Sequence, residues 1–305
     1  MTRRVLVTGG AGFIGSHVVE ALLLAGDDVH ALDDLSRGQV TNLPAAVPLH
    51  VLDIGDASVT KLLRELQFDA IVHCAAQTNV MRSITDPDLD RRINIDGLQR
   101  RLDAAADSRI ERFVFISSGG AVYGETNVPA DEGTSAQPDN PYGQHKLSGE
   151  RMLAASPIPG VTLRPSNVYG RRQRSDAEGG VIAIFAERLA AGEKLRIYGD
   201  GEQERDFVHV SDVVDAVLLM LDDHSMCGVW NVGTGRATTV NEVAATMLEA
   251  FGAVGEVEHL PPRGEVRRSC LDVSKLIATG RWRPRIDLVG GVADLARSAR
   301  VGEPS

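Results

Sequence analysis

The stretch TGGAGFIGSH (residues 8–17) decides how this chain is read. It ends an apolar run, RRVLVTG (3–9), and opens a helix-like one, FIGSHVVEALLLAG (13–26). Gly10, Gly12 and Gly15 satisfy G-x-G-x-x-G, and Gly9, Gly12 and Gly15 lie between strand and helix. Glycines there permit a tight turn and the close approach of a pyrophosphate. The helix N-terminus adds unpaired N–H groups and a partial positive charge. A glycine-rich turn alone is common, so its context matters. The next strand-like run, DVHALDD (28–34), ends in Asp33 and Asp34. A carboxylate at that place accepts hydrogen bonds from adenosine ribose hydroxyls and repels a 2′-phosphate. Strand, loop, helix and acid in this order predict a dinucleotide site, with NAD favoured over NADP. Arg37, nearby, is suited to the extra phosphate of NADP.

Working outward, PLHVLDI (48–54), AIVHCAA (70–76) and RFVFISS (112–118) continue the strands, with helical runs such as VTKLLRELQ (59–67) between them. Continuous apolar strands separated by helices imply a parallel sheet covered on both faces. The predicted fold is α/β, a Rossmann-type doubly wound sheet with a smaller C-terminal substrate-binding domain. The expected boundaries are 1–170 for the dinucleotide-binding domain, with later segments at about 205–240 returning to it, and 171–305 for the second.

Composition narrows the function. The chain has 305 residues, 43% hydrophobic and 24% charged, as in an ordinary globular protein. A net charge of −10 argues against nucleic acid as a partner. Cys74, Cys227 and Cys270 are far apart and odd in number, which fits reduced thiols. The eight histidines form no metal-ligand pattern, so no metal is expected. No apolar run is long enough to span a bilayer and the N-terminus does not read as a signal peptide. The expectation is a cytoplasmic protein without a membrane partner.

A second stretch raises the question of chemistry. NPYGQHKLSGE (140–150) carries Tyr142 and, four residues later, Lys146. On a helix these share a face. An ammonium beside a phenol stabilises the phenolate, making the tyrosine an acid–base group near neutrality. Just upstream, ISSGGAVYG (116–124) follows an apolar strand and so lies at the carboxyl edge of the sheet, where ligands sit in open α/β folds.

Together, TGGAGFIGSH, Asp33, HCAAQ (73–77), SSGGAVYG and YGQHK resemble the extended short-chain dehydrogenase/reductases. RPSNVYG (164–170), DGEQERDFVHVSDVVDA (200–216), NVGTG (231–235) and PPRGEVRRSCLDVSK (261–275) resemble the nucleotide-sugar 4-epimerases among them. The resemblance implies interconversion of UDP-glucose and UDP-galactose. Enzyme-held NAD oxidises the sugar at C4, the 4-keto sugar turns, and hydride returns to its other face. It implies Tyr142 as acid–base, Lys146 as its partner and holder of the nicotinamide ribose, and Ser118 as the hydroxyl that binds the reacting oxygen. For the cofactor it implies Gly9, Gly12, Phe13, Ile14 and Gly15 at the pyrophosphate, Asp33 with Asp34 at the ribose and Asp53 with Ile54 at adenine. Ala75, Ala76, Asn94 and Ser117 line the rest of the groove. For the UDP-sugar it implies Gln77, Asn167, Val181, Arg196, Tyr198, Arg205, Arg263, Glu265 and Ser269.

Five features depart from the family or specialise it. Epimerases usually carry serine or threonine where this chain has Gly119, which makes Ser118 the nearest substitute. Dehydratases and decarboxylases of the superfamily carry an acid in this loop, whereas Gly119, Gly120 and Ala121 place none, so simple epimerisation is the reaction left. Ser269, at the family's gatekeeper position, leaves room for an N-acetyl group and extends the expectation to UDP-GlcNAc and UDP-GalNAc. His145 stands where serine is usual and has no expected role beyond packing. The resemblance also implies a homodimer through helices at roughly 89–106 and 141–155, the first carrying Arg100 and Arg101 where apolar residues are usual. Two alternatives stay open: an epimerase of UDP-glucuronate or another nucleotide sugar, with Arg196 facing C6, and a non-catalytic NAD-binding sensor.

Overall fold

In the computed structural model, which describes residues 2–108, 110–176, 180–253, 257–262, 264 and 266–301, the glycine loop joins the first strand to the first helix. The chain runs β1 (Arg4–Thr8), α1 (Phe13–Leu24), β2 (Asp28–Asp33), β3 (Leu49–Val51), α2 (Ala57–Leu66), β4 (Ala70–His73), α3 (Val80–Thr85) and α4 (Pro87–Arg91). A π-helical segment, Arg92–Gly97, leads into α5 (Leu98–Ala106), β5 (Arg112–Ile116), α6 (Gly119–Val122), α7 (Pro141–Ala155) and β6 (Gly160–Pro165). Then come β7 (Asn167–Tyr169), α8 (Val181–Ala190), β8 (Leu195–Tyr198), β9 (Glu204–His209), α9 (Val210–Asp222), β10 (Gly228–Val232) and β11 (Ala237–Thr239). The last elements are α10 (Val240–Phe251), β12 (Val257–Leu260), β13 (Arg268–Ser269), α11 (Ser274–Ile277) and α12 (Leu288–Val301).

The main sheet has seven strands in the order β10-β6-β5-β4-β1-β2-β3. The pairs β2–β3, β1–β2, β1–β4, β4–β5 and β5–β6 are all parallel. The order 3-2-1-4-5-6 is the doubly wound arrangement, as expected, and it reverses between β1 and β4. Strands β4 and β5 are buried along their whole length, which is why they read as unbroken apolar runs.

The chain divides into two compact units. Unit one comprises Met1–Val122, Pro138–Arg164 and Val214–Trp230; unit two comprises Tyr123–Gln137, Pro165–Val213 and Asn231–Ser305. In unit one, Leu6, Leu32, Ile71, Phe113 and Phe115 from the strands pack with Leu63, Leu98, Leu102 and Leu153 from the helices. In unit two, Phe185, Leu195, Ile197, Val243, Met247 and Leu295 belong to a separate core. There β9 is the hub: β7 and β13 pair with it in parallel and β11 antiparallel. Asp206, fully buried on β9, accepts from Thr234 N at 2.9 Å and Thr234 Oγ1 at 2.5 Å, which pins the NVGTG loop.

Arg112, at the start of β5, is 1% exposed. Its Nε donates to Met220 O at 2.7 Å, and its Nη2 donates to Asp223 O at 3.2 Å and Met226 O at 2.5 Å. A guanidinium thus satisfies the carbonyls at the end of α9, where the helix dipole is negative. Replacing it by methionine keeps the bulk and removes the side-chain donor from Met220 O and Met226 O, while Asp223 O keeps Met226 N at 3.2 Å. Arg112→Met is expected to cost about 2–4 kcal/mol of stability, read as a lower urea midpoint.

Candidate active site

Three segments of unit one meet at the carboxyl edge of the sheet, around the point where its order reverses. The first is the glycine loop. A Cβ on Gly15 would sit 2.1 Å from Gly9 O, so only glycine lets α1 pack this close to the turn. A Cβ on Gly12 would meet only Gly9 O, at 3.2 Å, and is otherwise open. Gly12 is the N-cap of α1, with no side-chain cap bond and no acid in the first turn. The N-terminal amides of α1 are therefore left for an anion. The loop is braced from behind by Asn42 Nδ2 and Gln39 N, which donate to Ala11 O at 2.9 and 3.0 Å.

The expected ribose acid is beside this loop. Asp33 ends β2, is 6% exposed, and accepts from Ala11 N at 3.0 Å and Leu35 N at 2.8 Å. Burial raises its pKa, and these backbone bonds oppose the rise. Asp34 instead caps its own turn, accepting from Ser36 N and Ser36 Oγ at 2.9 and 2.6 Å. Asp53 does the same for Gly55 N at 2.7 Å, while the neighbouring Ile54 is in the core of unit one. Uncapped helix, open Gly12 and fixed Asp33 together fit a dinucleotide with a free ribose 2′-hydroxyl.

The second segment follows β4. His73 ends the strand and shares a hydrogen with Thr8 Oγ1 at 2.9 Å. Burial pushes its imidazole down to about 3, with Lys146 and Arg101 adding to the effect. Burial likewise pushes the Cys74 thiol up to about 12. Both groups are neutral at pH 7. Ala75 N lies 3.4 Å from Thr8 Oγ1, and Gln77 and Asn94 exchange bonds: Gln77 N to Asn94 Oδ1 at 3.0 Å, Asn94 Nδ2 to Gln77 O at 2.9 Å.

The third segment is α7. Asn140 caps it by accepting from Gly143 N at 2.9 Å, and Pro141 occupies its first turn, a favourable start. Tyr142 and Lys146 share its inner face and are 8% and 4% exposed. Lys146 Nζ donates to Ile116 O at 2.9 Å and lies 5.9 Å from the centre of the Tyr142 ring. Tyr142 N donates to Ser83 Oγ at 3.2 Å. A Cβ on Gly143 would be 2.4 Å from Ala121 O, so α7 is seated directly on the SSGGAV loop. Ser117 spends its hydroxyl on Glu150 Oε1 at 2.5 Å and its N–H on Leu163 O at 2.8 Å. Ser118, half-buried, follows it.

Glu150, one turn beyond Lys146, was not picked out from the sequence. It is held by Arg164 Nε at 2.9 Å and Nη2 at 2.5 Å, a buried bidentate pair. The available signal was its spacing of four from Lys146 and eight from Tyr142, which sets all three on one helix face.

The remaining expected residues lie in unit two. Asn167 on β7 donates to Asp206 O at 3.3 Å. Arg205 on β9 stands opposite Ser269 on β13, which is 7% exposed. Val181 opens α8. On β8, Arg196 and Tyr198 share a face, and Arg196 Nε pairs with Glu258 Oε2 at 3.0 Å. A cleft of about 610 Å³ is lined by Tyr198, Asp200, Gln203, His259, Pro262 and Arg267. Arg267 grips Asp200 through both carboxylate oxygens, at 2.8 and 3.0 Å. Arg263 and Glu265 lie outside the described residues. No group of three or more metal-ligating side chains occurs among the described residues.

The two loop glycines are expected to separate under mutation. Gly12→Ala should leave the NAD-free protein within about 1 kcal/mol of wild type, since its Cβ meets one atom. It should lose most of the rise in melting temperature that added NAD produces. Gly15→Ala should destabilise the protein with or without NAD, because the helix must move.

Comparison with known proteins agrees with this geometry. Residues 5–233 match the NAD dependent epimerase/dehydratase family. A UDP-glucose 4-epimerase of Mycolicibacterium smegmatis is 40% identical over 301 residues, covering 95% of this chain and 96% of that protein. The crystal structure of Thermus thermophilus UDP-glucose 4-epimerase complexed with NAD superposes with a TM-score of 0.92 at 41% identity, covering 97% and 99% of the two chains. The Thermotoga maritima UDP-glucose 4-epimerase with UDP-glucose gives 0.93 at 38% identity, covering 98% and 99%. By the family model and by these relatives, the chain is a member of the NAD-dependent epimerase/dehydratase family.

Proposed function

We propose that this enzyme is a UDP-hexose 4-epimerase, interconverting UDP-glucose and UDP-galactose with tightly held NAD. The observation that carries the reading is the composition of the loop beside Tyr142. Lys146 and Glu150 fix the loop's first residues, yet Gly119, Gly120 and Ala121 offer no carboxylate for elimination at C5 or C6. A site with one acid–base tyrosine and no second acid is suited to oxidation and reduction at a single carbon. The names of the relatives support the same reading.

In this mechanism Tyr142 takes the proton of the sugar's C4 hydroxyl, and the nearby Lys146 ammonium lowers the cost of the phenolate. Ser118 holds the reacting oxygen. Bound NAD supplies the hydride acceptor and donor. Tyr142 then returns its proton to the C4 oxygen of the turned sugar. Arg205 and the Arg263–Glu265 segment hold the diphosphate, for which a guanidinium fork is suited. Asn167, Val181 and Tyr198 are assigned to the nucleotide sugar, and Ser269 leaves room for an N-acetyl group at C2; the Gln77 side chain, expected among them, is instead bound to Asn79 and Asp90. Arg196, already paired with Glu258, is poorly placed to recognise a uronate, which favours a neutral sugar.

The assembly in this reading is a cytoplasmic homodimer through α4, α5 and α7. Arg101 turns out to be only 1% exposed, with Nη2 donating to Asp56 O at 3.3 Å, and Arg100 donates to Gly55 O. Arg101 therefore adds no charge to the outer face of α5. No described helix is long and apolar enough to cross a membrane.

Product analysis tests the proposal. Wild type is expected to convert UDP-galactose to UDP-glucose, and Tyr142→Phe to be slower by about 10²–10⁴-fold. Conversion of UDP-galacturonate alone would replace the sugar but keep the chemistry. Release of a 4-keto-6-deoxy sugar would overturn the reading. Equal turnover of hexose and N-acetylhexosamine substrates by wild type and Ser269→Tyr would remove the gatekeeper role. Sedimentation at twice the mass of one chain is the expected result for the dimer.

A further inference from the structure

Where α7 meets α4, a carboxylate is buried that the mechanism above does not use. Asp90 is 0% exposed. Its Oδ1 accepts from Gln77 Nε2 at 2.6 Å and Asn94 Nδ2 at 3.1 Å, and its Oδ2 lies 2.5 Å from His145 Nδ1. A carboxylate taken out of water needs donors on both oxygens. These three come from three different segments: the loop after β4, the π-helical turn and α7.

The network closes on itself. Gln77 Nε2 also donates to Asn79 O at 3.0 Å, and Gln77 Oε1 accepts from Asn79 N at 2.7 Å. Gln77 and Asn94 exchange the two backbone bonds described above. The loop Ala75–Gln77 is thereby held to the π-helical turn independently of α7. His145 is the link that adds α7, and it directly precedes Lys146. Its side chain is 19% exposed, against 0% for Asp90, so the ring seals the network on its outer side.

We propose that Asp90 and His145 form a positioning couple that sets the helix carrying Tyr142 and Lys146 against the cofactor-facing loop Ala75–Gln77. What matters is the Nδ1–H donor, not the bulk of the ring. The proposal rests on the reading of that loop and of Lys146 as parts of the NAD site.

The measurement is NAD affinity by calorimetric titration of the purified protein without sugar. Asn places an amide nitrogen about where Nδ1 stands, whereas Leu has similar bulk and no donor. His145→Asn is expected to bind NAD within about threefold of wild type. His145→Leu and Asp90→Asn should each bind about tenfold or more weakly, as for one lost hydrogen bond to a charged group. The double variant Asp90→Asn/His145→Leu should be no weaker than the worse single, since the two act as one unit. Wild-type affinity in His145→Leu, or equal losses in His145→Asn and His145→Leu, would overturn the couple. If His145→Leu fails to fold by circular dichroism, His145→Val, which also lacks a donor, takes its place with the same expectation. Because no sugar is present, a wild type inactive on UDP-galactose would defeat the epimerase reading and leave this result standing.

Discussion

An ammonium group that is 4% exposed must be given an acceptor, and the acceptor that Lys146 finds organises the carboxyl edge of unit one. It donates to the carbonyl of Ile116, the last residue of β5. One turn later Glu150 accepts from the hydroxyl of the next loop residue, Ser117. Glu150 is in turn compensated by Arg164 of β6. Two successive turns of one helix are thus tied to two successive residues at a strand end. A shift of α7 by one residue would strand a buried cation and a buried anion together, each of which costs far more unpaired than paired. Neutral His73 and a protonated Cys74 thiol do not offset the Lys146 charge.

The glycine loop is constrained in a complementary way. Its shape follows from protein sterics, since Gly15 is forced by the approach of α1 to Gly9 O. Asp33 is held by two backbone N–H donors before any ribose arrives. A cradle already in its bound shape loses less conformational freedom on binding, which favours tight retention of a dinucleotide.

Much of this was legible because the signals are local. Apolar strands alternating with helical runs gave the doubly wound parallel sheet, and the i, i+4 spacing of Tyr142 and Lys146 gave a shared face. The partners of buried charges were not legible, because nothing local marks them. Asp90, Glu150 and Arg112 were not singled out in the sequence, and their partners lie up to 114 positions away. Arg101 is an intermediate case. Leu98, Leu102 and Ala105 mark the buried stripe of α5, and Arg101 falls within it. Periodicity would have placed it inside; residue type suggested the surface. The run PLHVLDI was expected as one strand and forms it only over Leu49–Val51, because Asp53 turns back to accept from Gly55 N.

The way the SSGGAV loop is held bears on how one scaffold serves several reactions. Its contacts run through the Ile116 carbonyl, the Ser117 hydroxyl and the Ala121 carbonyl that faces Gly143. No side chain of residues 119–121 takes part in them. These contacts tie the loop to α7 through its backbone and through Ser117. In this chain the seating of α7 on the strand ends is carried by Lys146, Glu150 and Arg164, through contacts in which no side chain of residues 119–121 takes part.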